Sequence, residues 1–144
     1  MSIFAAGRRW FAAASIATIV VAALHTLGNT LGPAPTDASY VALDAAMRGY
    51  VVPLGLGMSP SVWMIYQSLV FTMSICLVAM GSLGLVIGAS DASPRLISRA
   101  ALVLAVSSAA LTALFAVCQV TPALVSMAVV TVLFAIAAVG SRSA

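Results

Sequence analysis

Four apolar runs, separated by more polar breaks of unequal length, fill most of this chain and leave it few folds to choose from. A helix crosses a bilayer with roughly 20 mainly apolar residues at about 1.5 Å each. Inside hydrocarbon each span must also satisfy its own backbone polar groups. The runs predict spans at about 10–31, 61–88, 100–120 and 123–139, with an outer loop over 32–60. Composition agrees, because 63% of the 144 residues are hydrophobic, 6% are charged and the mean hydropathy is +1.19. Three acidic and six basic residues are too few to solvate such a surface in water. The expectation is an all-α polytopic membrane protein, one membrane domain over 1–144, folded as a four-transmembrane-helix bundle.

Local signals punctuate the runs. Gly32, Pro33 and Pro35 end the first, and Ser59 with Pro60 can open the second as cap and first helical residue. The stretch from Asp91 to Ser98, with Pro94 inside it, separates the second span from the third. Only Gln119 to Pro122 interrupts the remaining apolar sequence, which predicts a tight hairpin at Thr121 and Pro122 rather than one kinked helix.

Cytoplasmic loops of membrane proteins keep an excess of positive charge. Arg8 and Arg9 precede the first span, Arg95 and Arg99 lie between the second and third, and Arg142 follows the fourth. This places both termini on the cytoplasmic side of a plasma (inner) membrane. The net charge of +3 therefore reflects topology and predicts no nucleic-acid partner. Arg8, Arg9 and Phe11 ahead of an apolar run look superficially like a secretion signal, but the run is longer than a signal core, so an uncleaved first helix is expected. Cys76 and Cys118 fall at depths too different for a disulfide and are expected to be free thiols.

Stepping by four and three residues, the first span aligns Phe11, Ser15, Thr18, Ala22, His25 and Asn29. The second aligns Trp63, Gln67, Val70, Ser74, Leu77, Gly81, Gly84 and Gly88. The third gives Ala101, Ala105, Ser108, Thr112, Phe115 and Gln119, and the fourth gives Leu124, Ala128, Thr131, Ala135 and Ala138. Small and polar residues are what membrane helices place against each other. Toward the predicted outer face the stripes end in His25, Asn29, Gln67 and Gln119, with Trp63 at the rim.

These groups must bond to one another, to water or to a ligand, because an unpaired polar group in hydrocarbon costs several kcal/mol. His25 is the one histidine and, as an ionisable group within a span, the leading functional candidate. The 32–60 loop is far longer than a bundle connection requires. Within it Asp37 can cap a short amphipathic helix that carries an Asp44 and Arg48 pair at i and i+4 and ends at Gly49. Tyr40, Leu43, Asp44 and Met47 share a face of that helix and can lie over the bundle mouth.

The chemistry is bounded by what is missing. Without Glu, or Asp within a span, the carboxylate relay of proton-driven transport is disfavoured, and no cluster suits a structural zinc site. Serine-hydrolase, phosphate-loop and dinucleotide motifs are absent. What remains suits a small lipophilic molecule bearing an oxygen function. Asn29, Trp63, Tyr66, Gln67, Gln119 and Arg48 would bind it, and His25 and Asp44 would move a proton in an isomerisation or ring opening. No resident cofactor or metal is expected; a haem held by His25 with Met64 or Met73 opposite is the weaker alternative. Membrane lipids are the expected surroundings. The competing expectation is a non-catalytic accessory or assembly subunit, as a homo-oligomer or in a larger membrane complex, using its small-residue seams and the Gly84–Gly88 pair for association.

Overall fold

A computed structural model describes residues 3–32 and 36–141, the side chains from residue 6 onward. Pro33, Pro35 and Arg142, used above as helix stop and flanking charge, lie outside the described residues. Five helices follow in order: α1 (Ile3–Leu31), α2 (Ala38–Gly49), α3 (Val62–Ala89), α4 (Pro94–Val117) and α5 (Thr121–Gly140). The four long ones are long and apolar enough to cross a membrane, so the fold is an all-helical four-span bundle with a short amphipathic helix in its first loop.

The spans are arranged as a row rather than a closed ring. α1 packs on α3 along one side and on α5 along the other, α4 packs on α5, and α3 and α4 scarcely touch. Glycine sets the α1 to α3 approach: a Cβ on Gly81 would come within 2.7 Å of the Ser15 carbonyl oxygen, and Gly84 lies directly against Ser15. The Gly84–Gly88 pair therefore faces α1, within the bundle. Phe11 meets Phe134 edge-on, ring centroids 5.9 Å apart, and joins α1 to α5. Between α5 and α4, the Ser98 hydroxyl donates to the Ala138 carbonyl at 2.9 Å, and Thr112 and Thr131 approach to 3.4 Å. Other stripe hydroxyls are satisfied within their own helix: Ser15 donates to Phe11 O and Thr18 to Ala14 O, which lets them be buried in apolar surroundings.

The predicted stripes of α1, α3 and most of α4 are the buried ones. On α5 the predicted stripe is buried only in part. Ala138 is buried and Thr131 reaches Thr112, but Ala135 is exposed, and Met127, Val130, Phe134 and Ala137 are buried beside them. α5 lies between two neighbours: Phe134 and Gly140 meet α1, while Thr131 and Ala138 meet α4.

Helix ends also refine the expectations. α1 begins well before Trp10, and Arg8 within it donates through Nη2 to the Ala92 carbonyl at 3.1 Å, clasping the α3 to α4 connection. Ser61, rather than Ser59, caps α3 by accepting from Met64 N–H. Ser59 and Pro60 instead belong to a small antiparallel excursion over 50–62, in which Val52 N–H bonds to Pro60 O and Leu54 N–H to Met58 O. A turn from Gly55 to Met58 reverses it, with Leu56 and Gly57 at φ +52° and +78°, the left-handed pair of a type I′ turn. α4 stops at Val117, three residues before the expected end, in a Schellman motif: Gln119 N–H bonds to Ala116 O and Val120 N–H to Phe115 O. Gln119 takes the left-handed position at φ +57°, and Pro122 lies in the first turn of α5. The predicted hairpin is present.

Candidate functional site

The end of the bundle that holds α2 and the α4 to α5 turn, here the loop end, contains two cavities. The larger, about 640 Å³, is a half-open space lined by residues of α1, α2 and α3. Its roof is the amphipathic face of α2, whose Asp37 cap accepts from Ser39 N–H at 2.8 Å and Tyr40 N–H at 3.3 Å. The Ser39 hydroxyl also donates to this carboxylate, and these three bonds, that hydroxyl first, hold the Asp37 carboxyl below its ordinary value. Tyr40, Leu43, Asp44 and Met47 line the cavity together, on the one face of α2 that the sequence groups them on.

The base and wall come from the spans. Asn29 Nδ2 donates to Gln67 Oε1 at 2.7 Å and ties α1 to α3 at their loop ends. That bond leaves Asn29 Oδ1 and the Gln67 amino group for a guest, one acceptor and one donor side by side. Beside them Arg48 Nε bonds to Asp44 Oδ2 at 2.7 Å, while its guanidinium lies 4.0 Å above the centre of the Trp63 ring. Sequence alone gave the Asp44 and Arg48 pair but not the stacking on Trp63, since nothing local fixes how the loop folds back. Tyr66 completes the wall next to Trp63.

One glycine, missed by a search for reactive side chains, leaves space in this wall. Gly28 and Gly32 line the cavity, and a Cβ on Gly28 would meet nothing within 4 Å. The missing side chain is the signal, recognisable only once the neighbouring helices are placed.

The roof is lightly held. α2 has no buried residue, its cation–π contact is worth about 0.5–1 kcal/mol, and an exposed ion pair adds about 0–1 kcal/mol. Lifting α2 is therefore a small perturbation compared with separating spans.

His25 and Gln119 do not join this group. His25 stands one turn from Asn29 but lines a second cavity of about 320 Å³ with Met73, Phe115, Pro122, Ser126 and Met127 among its walls. Its Nε2 is buried and has no hydrogen-bond partner. Met73, one of the two expected haem partners, shares that cavity, whereas Met64 is exposed on α3. Gln119 is an exposed turn residue, because the Schellman ending rotates it off the stripe that the uninterrupted helix would have continued. The one cavity expected from the sequence is thus two, divided along α1. Among the described residues no three metal-ligating His, Cys, Asp or Glu side chains cluster. Comparison with known proteins adds no relative: no protein family matches the chain, and no curated protein or solved structure is detectably similar to it.

Proposed function

We propose that this is a small inner-membrane protein, both termini cytoplasmic, that binds an amphipathic lipophile in the outer leaflet beneath α2. The observation that carries this reading is the 640 Å³ space between α1, α2 and α3, apolar where Leu43, Met47 and Trp63 line it and polar where Asn29 and Gln67 meet. A ligand carbonyl or epoxide oxygen would accept from the Gln67 amino group, and a ligand hydroxyl would donate to Asn29 Oδ1. The charge asymmetry of the loops supports the orientation, and the weakly held roof supports entry from the membrane or from its outer surface. Proton transfer to the guest, in an isomerisation or ring opening, would draw on Asp44 and Tyr66, which line this cavity. His25 lines the neighbouring one, so binding is the primary activity of this reading.

The accessory-subunit alternative loses one of its arguments, since the glycine seam that could have served assembly packs against α1. Gly28→Leu is the direct test. It places a side chain in open cavity space and improves helix propensity by about 1 kcal/mol, so the bundle should fold. Purified from membranes, the wild-type protein should carry a lipophile identifiable by native mass spectrometry, and Gly28→Leu should lose it while remaining folded. Equal retention by both proteins would refute binding at this cavity.

A further inference from the structure

A further half-open cavity, of about 630 Å³, lies at the opposite end of the bundle, beside the first turns of α4. Arg95, Arg99 and Leu102 line it, and at spacings of four and three residues they share one face of that helix. Both arginines are exposed, so a guest can reach their guanidiniums, and among the described residues neither has an ion-pair or hydrogen-bond partner. A guanidinium stays cationic and offers donors only, which calls for an anion rich in acceptor oxygens. Ser93 lines the same space; its Oγ accepts from Leu96 N–H at 3.3 Å, and its own proton remains to donate. The other serines in the lining add no donor, since Ser98 donates to Ala138 O and Ser141 is buried. Asp91, the one carboxylate in the α3 to α4 connection, neither lines the cavity nor pairs with either arginine.

Away from the arginines the wall becomes apolar. Leu102 lies two turns from Arg95, about 10 Å along the axis at 1.5 Å per residue, and Val106, one turn further, is exposed like Leu102. We propose that this cavity holds the phosphodiester headgroup of an anionic membrane phospholipid, with Arg95, Arg99 and Ser93 donating to the phosphate oxygens and an acyl chain lying along Leu102 and Val106. A planar guanidinium can engage two oxygens of one phosphate. The volume, equal to that of roughly twenty liquid waters, has room for a phosphate with a small polyol attached. A zwitterionic lipid would instead bring an ammonium close to two like charges. Arg8, by donating to Ala92 O at 3.1 Å, ties the connection that carries Ser93 to α1, so this wall is set without the lipid. In the orientation proposed above, the lipid belongs to the inner leaflet. The site is independent of the cavity under α2.

Native mass spectrometry of the full chain, released from nanodiscs with equal amounts of phosphatidylglycerol and phosphatidylcholine, reads the preference. The wild-type protein should retain phosphatidylglycerol about tenfold over phosphatidylcholine, the combined pull of two arginines after screening by salt. Arg95→Gln and Arg99→Gln, at exposed side chains that the fold does not depend on, should each lower that preference about threefold. Arg9→Gln removes the same charge from the same end of the bundle but outside the cavity, and should leave the preference unchanged. Equal losses in all three variants would mean a diffuse surface field and overturn the site, as would equal retention of the two lipids by the wild-type protein. Should a glutamine variant fail to fold, Arg99→Lys decides: it keeps the charge without the planar fork and should lower the preference, and an undiminished preference would refute the site. Millimolar inorganic phosphate should not displace the lipid, and displacement would overturn the lipid assignment in favour of a soluble anion. Gly28→Leu should leave the preference unchanged, which separates failure here from failure of the cavity under α2.

Discussion

Asp37 shows how one side chain can tie the roof of a cavity to pH. Its carboxylate accepts from the Ser39 hydroxyl and from two backbone N–H groups at the start of α2, and its pKa is lowered accordingly. A lowered folded-state value means that the cap stabilises α2 fully above the ordinary carboxylate value of 3.8. The stabilisation is lost as pH falls from there through the depressed folded value. The protection of the Ser39 and Tyr40 amides, measured as exchange relative to the intrinsic rate at each pH, should fall over that acidic window and stay constant above it. Asp37→Asn, which keeps an acceptor without a titrating proton, should remove the pH dependence. Gln119 invites a second measurement. A left-handed non-glycine residue costs about 1 kcal/mol, so Gln119→Gly should raise thermal stability in detergent by about that amount and leave ligand retention unchanged. A lower melting temperature would indicate that its side chain has work beyond the turn. The two residues also mark what was legible in advance. Asp37 was readable as a cap because capping is decided within three residues of sequence. Gln119 was misplaced because periodicity extends a helix until something stops it, and the Schellman bonds that stop α4 involve no glycine or proline at that position.

Among the elements, the α1 to α3 contact is the one most sensitive to volume. At Gly81 an added methyl would collide with backbone, the Ser15 carbonyl, as well as with Ile19 Cγ1 at 2.6 Å. At Gly88 the nearest atom would be Phe11 Cδ1 at an ordinary 3.5 Å. Gly81→Ala should therefore cost about 1–3 kcal/mol, whereas Gly88→Ala should be neutral or slightly stabilising through helix propensity. Thermal unfolding of the two variants side by side checks this, and equal losses would mean that the helices do not meet at Gly81. Small-residue spacing made this seam readable from the sequence. The same rule covered only part of α5, where Ala138 is buried but so are Met127, Val130 and Phe134, because a helix between two neighbours has two contact faces and a single stripe describes one of them. The excursion over 50–62 was not anticipated either: its turn places Leu56 at positive φ, 98% exposed, against the local preference of a leucine.

For the whole molecule, the native cysteines provide the test of topology. Both are free and exposed: Cys76 lies midway along α3 on a surface turned to lipid, and Cys118 caps the end of α4 beside the turn. A membrane-impermeant maleimide applied to the outside of spheroplasts should label Cys118 and spare Cys76, and labelling of Cys118 only after lysis would invert the proposed orientation. The row of spans, α3 beside α1 beside α5 beside α4, also dictates an order of assembly. As the chain leaves the ribosome, α1 and α3 can pair at once, but α4 has no substantial partner until α5 follows it into the membrane. Severing the backbone between Ala89 and Ser93 would therefore yield two hairpins that rejoin along a single seam. Until the second hairpin arrives, one flank of α1, including the wall that carries His25, remains open to the bilayer.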